Sequence, residues 1–141
     1  MKQEKTIKRR RFGVVITLVS LFAAAFIFEY AVNHHQWSMQ LSIIEFVMLG
    51  VFLISFIFTF LKTGLWKFTH KPLEVLDERE MELTSKSLRY AYMIFSIIVL
   101  ALLLAFSVLD RPLSVVLVVA LVLFAHLLPA AFIAWTEKNF D

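Results

Sequence analysis

Five ionisable side chains lie within or beside long apolar runs of this sequence: Glu29, His34, His35, Glu45 and His126. An ionisable group at membrane depth is costly, so it raises a functional question by default. Glu29 lies near the end of FGVVITLVSLFAAAFIFEYAV, Glu45 near the start of LSIIEFVMLGVFLISFIFTFL, and NHHQWSMQ joins the two runs. If those runs are antiparallel helices, both carboxylates reach a similar depth with the two imidazoles just above them. Such a group can bind a divalent metal or share a proton, one carboxylate raising the pKa of the other. The spacing matches no metal motif, so no metal or cofactor is expected. Glu29 is also half a turn out of phase with Ser20. A carboxylate so near a span's end can instead reach water or touch a neighbouring helix. Both readings remain open at the level of sequence.

His126 is the deepest of the five, near the middle of the last apolar run. Pro129, three residues on, lacks an N–H, frees the carbonyl of Ala125 and is expected to kink the helix. A histidine beside a kink can relay a proton or act as a gate. The simpler expectation is a neutral ring hydrogen-bonded to a hydroxyl of a neighbouring span. Its own face carries Val122, Val119 and Val115, with no polar path outward.

The elements that must position these groups follow from composition. The chain has 141 residues, 60% of them hydrophobic and 18% charged, with a mean hydropathy of +0.80 and 15 Phe. So much apolar surface is more than a chain this short can enclose as a soluble core. It is gathered into four runs, 12–32, 41–61, 90–109 and 112–135, each close to the roughly 20 residues that cross a bilayer as helix. Helix is the state in which such a run satisfies its own backbone in lipid. The expected architecture is therefore one all-α membrane domain, 1–141, of four transmembrane helices in an antiparallel bundle, with a connection over 62–89. KRRRF followed by an apolar run and AAA resembles a secretory signal. The run continues through FIFEYAV, which favours an uncleaved first span.

Of the 14 Lys and Arg, all but Arg111 fall in the N-terminal segment, the 62–89 connection or the tail at Lys138. That asymmetry predicts a multi-pass protein of the inner or plasma membrane with both termini and the long connection cytoplasmic. Anionic lipid headgroups account for the basic residues, and no nucleic-acid partner is expected. Trp66 and Phe68, interleaved with Lys62, Lys67 and Lys71, suit a segment at headgroup level.

Charge concentrates in DEREMELTSKSLRY, Asp77 to Tyr90. Asp77 followed by Glu80 is a capping signal for a helix start, and no Gly or Pro interrupts the chain from there to Leu109. Glu82 and Lys86 form a favourably ordered i,i+4 pair. The third helix is thus expected to stand roughly three turns clear of the bilayer, anchored by Arg89, Tyr90 and Tyr92. The pattern D-E-R, then Lys86, then R-Y-A-Y over Asp77–Tyr92 resembles small four-span prokaryotic membrane proteins that are grouped as uncharacterised. That resemblance implies topology and a prokaryotic origin, and no activity. Asp77, Glu78, Arg79, Glu80, Glu82, Lys86 and Arg89 are either a docking surface or a solvated helix start.

Polar and small residues predict the inward faces. Ser42, Glu45, Met48, Phe52, Ser55 and Thr59 share one face of the second span, and Gly13, Thr17, Ser20 and Ala24 one face of the first. In the third span Arg89, Tyr92, Ser96 and Ser107 align, with Ala101 and Ala105 opposite. A phosphate loop, an HExxH motif and a Ser/His/Asp set are all missing, and cysteine is absent. The expected role is a non-catalytic scaffold or accessory subunit, not an enzyme, that associates with itself or with another membrane or cytoplasmic protein. The alternative is an oligomeric ion or proton channel or transporter component using Glu45 and His126.

Overall fold

No proline interrupts the chain before Pro72, and the first helix, α1, runs unbroken over Lys2–Asn33, so the basic N-terminal segment is a helical extension of the first span. The structure, a computed structural model, describes residues 2–35 and 37–137. Lys138 lies outside them. Among the described residues there is no strand. After α1 the chain turns through His35, at φ 49°, and Ser38 caps α2, Met39–Phe56, its hydroxyl accepting from the Leu41 amide at 3.2 Å. Helix α3 is a single short turn, Leu65–Thr69. The long α4 spans Glu78–Val108 and α5 spans Val115–Thr136, with Ser114 as its N-cap. The last span therefore starts three residues after Pro112. The four long helices are each long and apolar enough to cross a membrane.

Packing is serial: α2 lies on α1, α1 on α5, and α5 on α4. Helices α1 and α5 bury 39% and 56% of their most apolar windows, whereas α2 and α4 bury 0% and 6%, so the first and last helices form the inner pair. Large side chains such as Phe46, Ile54, Leu100 and Leu104 point outward from the flanking helices. Outward Phe and Leu in such numbers fit lipid as the surrounding solvent. All three tryptophans, Trp37, Trp66 and Trp135, lie at helix ends, as in the aromatic belts of membrane proteins.

The α1–α2 contact uses the predicted faces. Thr17 and Ser20 are buried, Ser55 Oγ lies 2.7 Å from Thr17 Oγ1, and both hydroxyls donate to the Gly13 carbonyl, at 3.0 and 2.8 Å. Glycine is needed at position 13 because Thr59 occupies the space where a Cβ would stand; that atom would lie 3.1 Å from Thr59 Cγ2 and 3.2 Å from its Cβ, with the hydroxyl closer still. At the same place α2 widens into a π-turn over Ile57–Leu61, closed by the Lys62 amide on the Ile57 carbonyl. The extra residue turns two successive side chains, Thr59 and Phe60, inward together. Gly64, at φ +75°, then reverses the chain into α3. Leu65 is fully buried, Trp66 meets Phe56 edge-on at 5.5 Å, and α3 packs across α5.

Helix α4 presents a different face to its neighbour from the one its polar residues predict. Thr84, Ser87 and Ala91 are buried, continued by half-buried Phe95, Ile98 and Phe106. Arg89, Tyr92 and Ser107 are exposed and Ser96 is half-buried, while Ala101 and Ala105 also point outward. Small Ser87 and Ala91 allow close approach to α5, and Phe95 reaches Phe124 at 6.4 Å. Turning the Arg89 face inward instead would bury an unpaired cation.

Gly13→Ala is expected to destabilise the fold by about 1–3 kcal/mol, the range for overpacking. Adding Thr59→Ala to it is expected to return part of that loss, because the two sites touch. A double-mutant cycle on reversible unfolding in detergent measures the coupling, and simple additivity would remove the close-approach account.

Candidate functional site

Glu29 is buried, at 5% exposure, on the side of α1 that meets α5. Its Oε1 accepts from Asn33 Nδ2 at 2.9 Å, and its Oε2 accepts from the backbone N–H of Ser114, the N-cap of α5, at 3.3 Å. A carboxylate at a helix N-terminus faces the positive end of the peptide dipoles. At the other end of α5 two arginines of α1 meet the negative end. Arg10, 8% exposed, donates from Nε to the Ala134 carbonyl at 3.1 Å and from Nη2 to the Glu137 carbonyl. Arg11 donates to the Trp135 carbonyl at 2.7 Å and lies over the Trp135 ring at 5.3 Å. The last carbonyls of a helix have no intrahelical donors, and the guanidinium fork supplies them.

The geometry fits because the two lengths agree. Arg10 and Glu29 are separated by about 28 Å of helical rise, and Ser114 and Ala134 by about 30 Å, at roughly 1.5 Å per residue. Both distances approximate the hydrocarbon thickness, about 30 Å. One helix thus grips the other at both ends with the sign of charge that each end prefers.

The other ionisable groups do not gather around Glu29. Glu45 is half-buried on α2, on the far side of α1 from α5 in the packing order. His34 stacks on Tyr30 with ring centres 4.3 Å apart and its Nδ1 donates to the Tyr30 carbonyl. His35 is exposed at the turn. No three His, Asp or Glu side chains among the described residues are placed to share a metal ion. Of the readings open for Glu29, its geometry is that of a contact with a neighbouring helix. Glu29 is occupied by α5, because the half-turn offset that takes it off the α1–α2 seam aims it at the next helix.

His126 also departs from expectation. It is exposed, and its Nδ1 donates to the carbonyl of Val122 on its own helix at 2.8 Å rather than bonding to a neighbour's hydroxyl. Pro129 is accommodated inside α5 and is buried there. His126 and Glu45 lie on helices separated by α1 and do not share a site within one chain.

The charged stretch begins with a complete capping box: the Glu80 amide donates to Asp77 Oδ1 at 2.7 Å, and Glu80 Oε2 accepts from the Asp77 amide. Lys71 binds Glu80 Oε1 at 2.8 Å, and Arg79 reaches Glu137 Oε2 at 3.6 Å. This end of α4 is thus braced against the preceding turn and the end of α5. Glu78, Arg79, Glu82, Lys86 and Arg89 remain exposed. A cleft of about 330 Å³ opens between α4 and the end of α5, lined by apolar Leu83 and Phe132 and by charged Arg79, Glu82, Lys86 and Glu137. Lys86 hydrogen-bonds Glu82 at 2.6 Å, which holds the Glu82 carboxyl below its ordinary pKa and lifts that of Lys86.

Arg10, Arg11, Asn33 and Ser114 carry the tightest polar geometry at the ends of α5, and none stood out individually by type. The available signal was the distance from Arg10 to Glu29, about 28 Å of rise, which is close to the roughly 30 Å that a span must cross.

Glu29→Ala and Arg10→Ala are each expected to cost about 1–3 kcal/mol, since each leaves partners of a charged group unpaired. Glu45→Gln is expected to stay within about 0.5 kcal/mol. Equilibrium unfolding in mixed micelles compares the three, and equal effects would dissolve the distinction. For the exposed pair, the lowered Glu82 pKa means that its contribution is present above the ordinary carboxylate range and lost as pH falls through the depressed value. Carboxyl NMR titration is expected to place Glu82 below a free glutamate and to return it upward in Lys86→Gln.

No protein-family model, curated protein or solved structure matches this chain.

Proposed function

We propose that this chain is a non-catalytic scaffold or accessory subunit of a prokaryotic inner membrane. It crosses four times, with both termini and the 62–89 connection on the cytoplasmic side. The one-sided distribution of Lys and Arg supports the orientation, since such loops stay on the side of synthesis. The observation that carries the role is the start of α4: a capped helix, braced by Lys71–Glu80 and Arg79–Glu137, whose Glu78, Glu82, Lys86 and Arg89 project outward from the fold. A rigid element loses little entropy on binding, and mixed charge selects a partner by complementarity. The same segment resembles that of uncharacterised four-span proteins, which adds no activity.

The transport alternative finds less support within a single chain. Glu45 and His126 sit on non-adjacent helices, and the polar groups of the α1–α2 seam are satisfied by one another.

A photo-crosslinker at Glu82 or Lys86 in native membranes is expected to capture one cytoplasmic or membrane neighbour, with the yield falling at least fivefold on reversing the charges of Glu78 and Glu82. Liposomes holding the purified chain are expected to show no ion flux that responds to Glu45→Gln or His126→Ala. Flux that is lost in either variant would replace the scaffold by a transporter.

A further inference from the structure

The outward face of α5 has a regular composition. Val115, Val119 and Val122 are 79%, 51% and 52% exposed, and His126 follows on the same stripe. The steps of four, three and four are those of a coiled-coil seam. Below His126 the stripe closes, because Pro129, Ala130 and Ile133 are buried. His126 lies about 18 Å of helical rise from Ser114 and about 15 Å from Thr136, near mid-span.

The imidazole makes this face more than a lipid-facing stripe. Its Nδ1 faces a carbonyl oxygen, which only accepts, so Nδ1 carries the proton and Nε2 is left as a bare acceptor. His126 has no other hydrogen bond among the described residues. Hydrocarbon offers no donor at that depth, and a polar group there is costly unless it is covered. We propose that a second copy of this chain covers it, by parallel packing of α5 against α5 along Val115, Val119, Val122 and His126.

The second copy is favoured over other occupants by depth. Two copies inserted by the same charge rule share one orientation, so a two-fold axis along the membrane normal brings each residue opposite itself. His126 then meets His126, and imidazole complements imidazole. One ring keeps its proton on Nδ1 and accepts at Nε2; the other carries its proton on Nε2 and donates. The second ring gives up its Nδ1–H bond to the Val122 carbonyl to do so, and the pair goes from two bare ring nitrogens to one. The Val122 carbonyl released in the second copy keeps its helical bond from the His126 amide. A single polar position in an otherwise apolar seam fixes register, as asparagine does in coiled coils. The three valines supply the shape and His126 the alignment.

This inference rests on the scaffold reading by naming one associate as a second copy, yet it is tested apart from the cytoplasmic surface. The chain has no cysteine, so single cysteines report contacts without background. Val119→Cys and Val122→Cys, alone in reconstituted liposomes under mild oxidation, are expected to give disulfide-linked dimers at least fivefold above Leu53→Cys on α2 and Leu104→Cys on α4. Adding His126→Leu to Val122→Cys is expected to cut the yield at least threefold, and His126→Asn to restore most of it. The leucine faces outward, and circular dichroism verifies that helix content is unchanged. Equal yields at all four cysteines, or a maximum on α2 or α4, would overturn the interface. Yields indifferent to His126→Leu would overturn the role of the imidazole. Loss of these dimers with crosslinking at Glu82 intact refutes this interface alone, and the reverse refutes only the cytoplasmic docking surface.

Discussion

The bundle depends on the way α1 holds α5. Hydrophobic association cannot do this in lipid, since the tails are as apolar as leucine. What distinguishes the correct pair of helices is polar geometry at their ends. Glu29 meets the amide end of α5, while Arg10 and Arg11 meet the carbonyl end. Each contact is modest in water, but partial burial strengthens it, and reversing the helix direction would put the wrong charge at both ends. Between these grips the contact is filled by side chains that need only to fit. Phe22 meets Phe124 edge-on at 4.9 Å, and Ala25, Ala131 and Ala134 are buried. The flanking helices then attach to this inner pair, α2 through the glycine-threonine seam and α4 through Ser87, Ala91 and Phe95.

Much of this architecture was legible in the residues. Four runs of spanning length translate directly into helices, because lipid leaves the backbone one way to satisfy itself. The Asp77–Glu80 pair predicted a cap that forms in full, since both partners of that motif are local. The inward face of α2 was also readable. Its hydroxyls have a cheap purpose there, bonding a carbonyl that glycine leaves accessible.

Other features depended on three-dimensional neighbours and were not readable. Polarity misled for α4, where small Ser87 and Ala91 decide the approach and exposed Ser107 has no inward role. Arg10 reads as one member of a topology-setting cluster, and its service to the Ala134 and Glu137 carbonyls requires knowing that the last helix lies beside the first. His126 was placed correctly along the axis but on the wrong side of it. The elements packed on α5 set which part of it is covered, and they are not a property of the histidine itself.

The contact between first and last helices has a consequence for biosynthesis. Arg10 and Ala134 are 124 positions apart, so a ribosome delivers α1 to the membrane long before its partner exists. During that interval Glu29 and the two arginines stay near the two interfaces, where water and headgroups can solvate them. Each span can therefore insert on its own, and only the arrival of α5 draws those charges inward. Arrival of α5 and consolidation of the interior become one event, and a product cut short before α5 would keep its charges hydrated and its helices loosely held.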